Sequence, residues 1–161
     1  MSDNHQTFFA FVHKESVLTL SMADDNGPWS APVLYVADTQ IDPFALYFLS
    51  SPNSRHVKAL GNNVICAASI YSNYTGRWQS ICGAQMQVQI SAVEEHRNDH
   101  IKTLYFDRFP EVEQLIDQPR TNQEKLIGAA FGKSYFYQVV PSFVRFTNNA
   151  DAFAGRTEWH C

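Results

Sequence analysis

Apolar and polar residues alternate most regularly between residues 81 and 93. There Gln85, Gln87 and Gln89 fall on one side and Met86, Val88 and Ile90 on the other. Period two over that length predicts a long strand with one face in a core and one face polar. Runs rich in β-formers predict further strands at 17–22 and 29–36, joined by the turn Asp24-Asp25-Asn26-Gly27-Pro28. Pro32 has no N–H to give a ladder, so the second of these strands has an edge or a bulge there. Apolar runs at 46–51 and 64–71 read as buried strands. Residues 135–140 and 143–147 read as the last two strands, broken apart by Pro141, and 148–161 as a tail.

The helical signals are shorter. Asp3 or Asn4 caps a helix through 7–13. Val57 and Leu60 share one face of a helix that follows a serine-rich turn, and Gly61-Asn62-Asn63 stops it. Residues 94–108 place Ile101, Leu104 and Tyr105 on one side; Pro110 opens a helix with Val112, Leu115 and Ile116. After a loop at 119–123, residues 124–131 form another helical turn that ends at Gly132. Most links between strands are too short for parallel crossovers. The expected class is therefore α+β, mainly β, an antiparallel sheet or small barrel.

A chain of 161 residues fits one domain, taken as 1–161, with room for a core that needs no disulfide or metal. Aromatic residues make up 14% of it, which favours a sheet-rich fold. The net charge of -4 and the lack of a basic run argue against nucleic acid as a partner. Three cysteines, Cys66, Cys82 and Cys161, give no disulfide framework. No apolar run reaches the length of a membrane span and the N-terminus has no signal-peptide character. The expectation is a cytoplasmic protein.

The candidate chemistry lies where the strand at 46–51 meets its turn. Ser50, Ser51, Asn53, Ser54, Arg55 and His56 gather hydroxyls, an imidazole and a guanidinium in seven positions. Ser51 before Pro52 reads as a helix cap and first helical position, which puts Asn53 to His56 in the first turn. Cations are unfavourable at that end of a helix unless an anion offsets them. A phosphate at Ser54, Arg55 and His56 is one reading, and an ordinary cap beside a solvated arginine is the other. His96 and His100, four apart, have the spacing of two metal ligands on a helix face, but no third ligand is evident, and a solvated polar face is favoured. No GxSxG, P-loop or GxGxxG occurs. In the tail, Arg156 and Trp159 could cover a flat ring, or Phe153 and Trp159 could pack the tail on the barrel.

In order, Ser30 to Tyr35, the strand at 46–51, Ser54-Arg55-His56, the strand at 64–71 and the long strand with Gly83-Ala84-Gln85-Met86 resemble the FMN-binding split-barrel superfamily, typified by pyridoxamine 5'-phosphate oxidase. The ending Phe146-Thr147-Asn148-Asn149, Phe153-Ala154-Gly155-Arg156 and Trp159 is similar to small bacterial members of unassigned activity. The resemblance implies a split β-barrel, a six-stranded antiparallel Greek-key barrel with flanking helices. It also implies a homodimer with the cofactor site at the subunit interface, and FMN as cofactor. Ser50, Ser54 and Arg55 match the phosphate-binding positions, with His56 in place of a lysine. Pro32, Val33 and Leu34 would run along the flavin edge; Gln85 would stand in for a glutamine near it, and Arg156 and Trp159 would close the site from the partner chain. The sequence departs from the oxidase where Ser30 replaces an arginine, Tyr35 a lysine and Phe109 an arginine. Those departures weigh against pyridoxamine-phosphate oxidation. The implied activity is a flavin-dependent oxidoreductase acting on a small molecule, with no catalytic acid or base identified. The rivals are a flavin or haem-type ligand carrier and a structural dimer without cofactor.

Overall fold

Seven antiparallel strands and five helices make up the computed structural model, which describes residues 3–61, 65–150 and 155–161. Helix α1 (Asp3–Lys14) leads into a hairpin of β1 (Val17–Asp24) and β2 (Gly27–Asp38). Gly27 turns that hairpin at φ 103°, a conformation open to a residue without Cβ. Strand β3 (Ala45–Ser50) is followed by the single-turn helix α2 (Arg55–Lys58). Then come β4 (Ile65–Tyr71) and β5 (Cys82–Ala92), helices α3 (Asn98–Arg108), α4 (Pro110–Asp117) and α5 (Asn122–Gly132), and strands β6 (Tyr135–Asn148) and β7 (Arg156–His160).

The strands lie in the order β3-β2-β1-β4-β5-β6-β7, and β3 pairs again with β6. That second pairing closes six strands into a ring: three strands of a meander, a fourth returning beside the first, and two more that meet the meander's far edge. It is the expected Greek-key barrel, with β7 added outside the ring. Side-chain parity explains two separate apolar cores. Leu18, Leu20, Leu46, Phe48, Ile70, Met86, Val88 and Val139 point into the ring, which α1 plugs with Phe8, Phe11 and Val12. Ala45 and Tyr47, the alternate residues of β3, face outward instead. They are covered by Ile101, Tyr105 and Phe106 of α3, with Phe109 and Val112 beyond. Strand β3 is thus buried on both faces, which is why its sequence shows no alternation.

Three expectations need correction. Pro141 does not break the last strand: β6 runs through it, and the ladder absorbs one extra residue, since Gln87 pairs with Phe143 and Val88 with Pro141, which leaves Ser142 as a bulge. The tail is not wholly irregular, because residues 156–160 add β7 to the outer edge of β6. Ser51 and Pro52 do not start a helix. The chain makes a turn in which the Ser54 N–H donates to the Ser51 carbonyl at 3.1 Å, and α2 begins three residues after Pro52. At Pro32 the ladder with β1 is regular, and among the described residues β2 has no strand partner on its other side until Tyr35 pairs with Phe48. Pro32 therefore marks an edge, not a bulge. Val64 of the predicted strand, Asn62 and Asn63 of the predicted helix stop, and residues 151–154 of the tail lie outside the described residues.

Candidate functional site

The end of β3 and the turn after it bring three of the expected residues together. Ser50 Oγ lies 2.8 Å from His56 Nε2 and 3.2 Å from Ser54 Oγ. Ser54 Oγ is also 3.2 Å from His56 Nε2, and it donates to the Ser51 carbonyl at 2.8 Å. Parity places Ser50 on the same side of β3 as Phe48, so this polar triangle caps one mouth of the barrel. The His56 ring leans on Phe48, with centroids 6.2 Å apart. Burial there pushes the His56 pKa down, so the imidazole is held neutral. Ser54 spends its one proton on the Ser51 carbonyl, so the donors left for phosphate oxygens are the Ser50 hydroxyl and, with the proton on Nε2, the His56 imidazole.

Arg55 is placed differently from expectation. Its guanidinium turns away from the triangle toward the β1–β2 hairpin. Nε donates to Asp24 Oδ2 and Nη2 to Asp24 Oδ1, both at 2.8 Å. Nη2 also approaches the Gly27 carbonyl at 3.4 Å, and the guanidinium carbon stands 4.4 Å from the centre of the Trp29 ring. The hydrogen bond from Arg55 holds the Asp24 carboxyl below its usual value, so the pair is ionised on both sides. The net charge at the barrel mouth, counted over Asp24, Arg55 and neutral His56, is close to zero.

Of the other expected residues, Pro32, Leu34 and Gln85 lie on the barrel's outer face. One row across the sheet runs Pro32, Thr19, Ser69, Gln85, Arg145 and Glu158. Pro32, Leu34 and Gln85 are exposed there, whereas the Val33 side chain turns inward and packs on the ring core. Arg156 is exposed opposite Thr147. Trp159 pairs with Val144, nine residues along β6 from Tyr135, which is the residue paired with Ser50. That is roughly 30 Å of strand. Trp159 instead packs edge-on to Phe8 at 5.1 Å and beside His5 at 4.7 Å, and it lines a cavity of about 350 Å³ with Phe9 and Phe44. Within one chain it does not reach the Ser50 triangle.

The residues at the oxidase's cationic positions are used structurally. The Tyr35 hydroxyl is buried and donates to the Val12 carbonyl at 2.7 Å. Phe109 is buried under the helices. Arg108 caps the end of α1, donating to the Lys14 carbonyl at 3.0 Å and the Glu15 carbonyl at 3.3 Å. His96 and His100 do not share a helix: His96 sits in a 3-10 turn beside Glu94, and His100 sits on α3 beside Asp38 at 3.3 Å. Asp24 and Trp29 were missed from the sequence. The Asp24-Asp25-Asn26-Gly27 stretch reads as a turn, and nothing local says that its first carboxylate meets an arginine 31 residues away.

The chain has the pyridoxamine 5'-phosphate oxidase-like split-barrel fold. Solved structures with that shape include a haem-binding protein from Mycobacterium smegmatis (TM-score 0.67, 13% identity, 94% of this chain and 56% of the other). A candidate pyridoxamine 5'-phosphate oxidase from Listeria innocua matches at TM-score 0.64 and 14% identity, over 91% of this chain and all of the other (100%). A FAD-binding protein from Mesorhizobium loti matches at TM-score 0.60 and 13% identity, over 89% of this chain and 92% of the other. The chain thus spans little more than half of the mycobacterial protein and nearly all of the other two. In sequence it is similar to the UPF0306 proteins of Klebsiella pneumoniae, at 22% identity over 92% of this chain and 88% of the relative, and of Pasteurella multocida, at 24% over 96% and 91%. No family model matches the chain. Among the described residues no helix is long and apolar enough to cross a membrane.

Proposed function

We propose that this chain, as one domain, binds FMN and works as a flavin-dependent oxidoreductase on a small molecule. The observation that carries the reading is the convergence of Ser50 Oγ, Ser54 Oγ and His56 Nε2 within 3.2 Å of one another at a barrel mouth. These polar atoms are partly buried and bond to each other, an arrangement that a phosphate's oxygens can enter without leaving a group unpaired. Arg55 adjoins them and supplies positive charge when it turns from Asp24. FMN would provide the redox chemistry. The chain's residues would bind and orient it: Ser50, Ser54, Arg55 and His56 at the phosphate, and the open edge of β2 at Pro32, Val33 and Leu34 along the ring. With Tyr35, Phe109 and Arg108 all engaged structurally, the substrate is not assigned as pyridoxamine phosphate.

Gln85, Arg156 and Trp159 fit this reading through a homodimer whose second chain brings them to the site. The outer face supports such a dimer. From β2 to β5 its central rows are Pro32, Thr19, Ser69, Gln85 and Ser30, Ser21, Ala67, Gln87, with exposed Leu34, Val17 and Tyr71 beside them. None of these residues is charged, and charge-poor surface with apolar members is what a protein interface buries.

The test is a titration with FMN followed by flavin fluorescence, together with light scattering for the dimer. Saturable binding that Arg55→Ala weakens supports the site, and anaerobic bleaching of the bound flavin by NAD(P)H favours an enzyme over a carrier. A protein that takes up haem and not FMN favours the haem-type carrier. One that takes up neither favours the cofactor-free barrel.

A further inference from the structure

Resting on the phosphate reading of the Ser50 triangle, we infer that Asp24 is a competing carboxylate that holds Arg55 away from the site and sets how strongly the site takes a phosphate. The geometry gives Asp24 both features that a competitor needs. It occupies two donors of the guanidinium in the fork arrangement that a phosphate would use, at 2.8 Å each. It also belongs to the hairpin, not to the site's own turn, so it can release Arg55 without disturbing Ser50, Ser54 or His56. The Arg55 guanidinium carbon also stands 4.4 Å from the centre of the Trp29 ring, a cation–π contact that uses none of the N–H groups an oxyanion would take. The Asp24 and Arg55 side chains are 20% and 34% exposed, so a ligand from solvent can reach the pair.

The consequence is selection by charge. A carboxylate fixed in place acts at high effective concentration, so a singly charged ligand gains little by displacing it. A phosphate monoester dianion brings a second charge and can bridge Arg55 to the Ser50 hydroxyl and His56. The site therefore favours monoester phosphates, and Asp24 keeps the arginine paired when none is present.

The experiment titrates FMN into the wild-type protein, Asp24→Asn, Arg55→Ala and the double variant, with inorganic phosphate as competitor and circular dichroism to confirm folding. Asp24→Asn is expected to bind FMN roughly tenfold more tightly. Arg55→Ala is expected to bind more weakly, and the double variant to behave like Arg55→Ala, because the gain acts through Arg55. If Asp24→Asn gives no gain while Arg55→Ala still weakens binding, the competitor is refuted and the phosphate site stands. An equal gain in the presence and absence of Arg55 refutes it too, as a plain field effect. If Arg55→Ala changes nothing, or neither wild type nor Asp24→Asn binds FMN, the phosphate reading fails and takes the competitor with it.

Discussion

Arg145 and Arg55 each grip a carboxylate, at 2.6 Å from Glu158 and 2.8 Å from Asp24, but the two pairs differ in kind. Arg145 and Glu158 are directly opposed residues on β6 and β7, so strand register alone brings them together. Such cross-strand pairs add a few tenths of a kcal/mol to a sheet. Arg55 and Asp24 are not in register. They join the turn after β3 to the β1–β2 hairpin, over an indole and beside two serines and a histidine that bond one another. A pair dictated by register is part of the scaffold. A pair that register does not require, set beside hydroxyls and an imidazole that bond only within their own turn, is where a ligand can intervene.

The largest effect that sharpens this contrast comes from beneath the site. Phe48 is fully buried under His56 and stacked on Tyr137 at 5.3 Å. Phe48→Ala is expected to lower unfolding stability by about 3–5 kcal/mol in chemical denaturation. A loss below about 1 kcal/mol would mean that the mouth of the barrel is not packed as described. Next comes the contrast itself: Arg55→Ala should weaken FMN binding by roughly ten- to a hundredfold, the worth of a charged hydrogen-bonded contact to phosphate. Arg145→Ala should leave that affinity unchanged. Equal effects from the two arginines would erase the distinction.

His56 gives a smaller signal with a definite sign. Its unfolded imidazole titrates near 6.5, and burial lowers the folded value. Below about pH 6.5 the unfolded chain binds more protons than the folded one, so stability falls as pH drops through that window. His56→Gln should flatten the slope of stability against pH there, and a slope that survives the change would assign it to another group. The smallest effect is at the scaffold pair. Glu158→Ala should change stability by no more than about 0.5 kcal/mol, read from the denaturation midpoint. A larger loss would make β7 a stronger clamp on β6 than a surface pair allows.

Much of the barrel was legible because its signals are local. The period of Gln85, Gln87 and Gln89 and the turn at Asp24 to Pro28 each show within ten residues what they become, whereas the serine-rich stretch after β3 showed its polar grouping but not its turn. Ser50, Ser54 and His56 were found together for the same reason, since they lie within seven positions. Pro141 misled because a proline's missing N–H forbids one ladder bond, not a strand, and the bulge at Ser142 makes room for it. Strand β7 was missed because its pattern is too short to stand without β6 as a template.

By itself the sequence determined where most of the strand-forming segments lie, the two faces of β5 and the grouping of hydroxyls and imidazole in one short stretch, because backbone periodicity and turn chemistry act over a few residues. Only the tertiary structure decided that β3 meets β6 to close the ring, that Trp159 packs on α1 far along the strand from Ser50, and that Arg55 faces Asp24. Those outcomes depend on which distant strands pair and in what register, and no window of the chain encodes that choice.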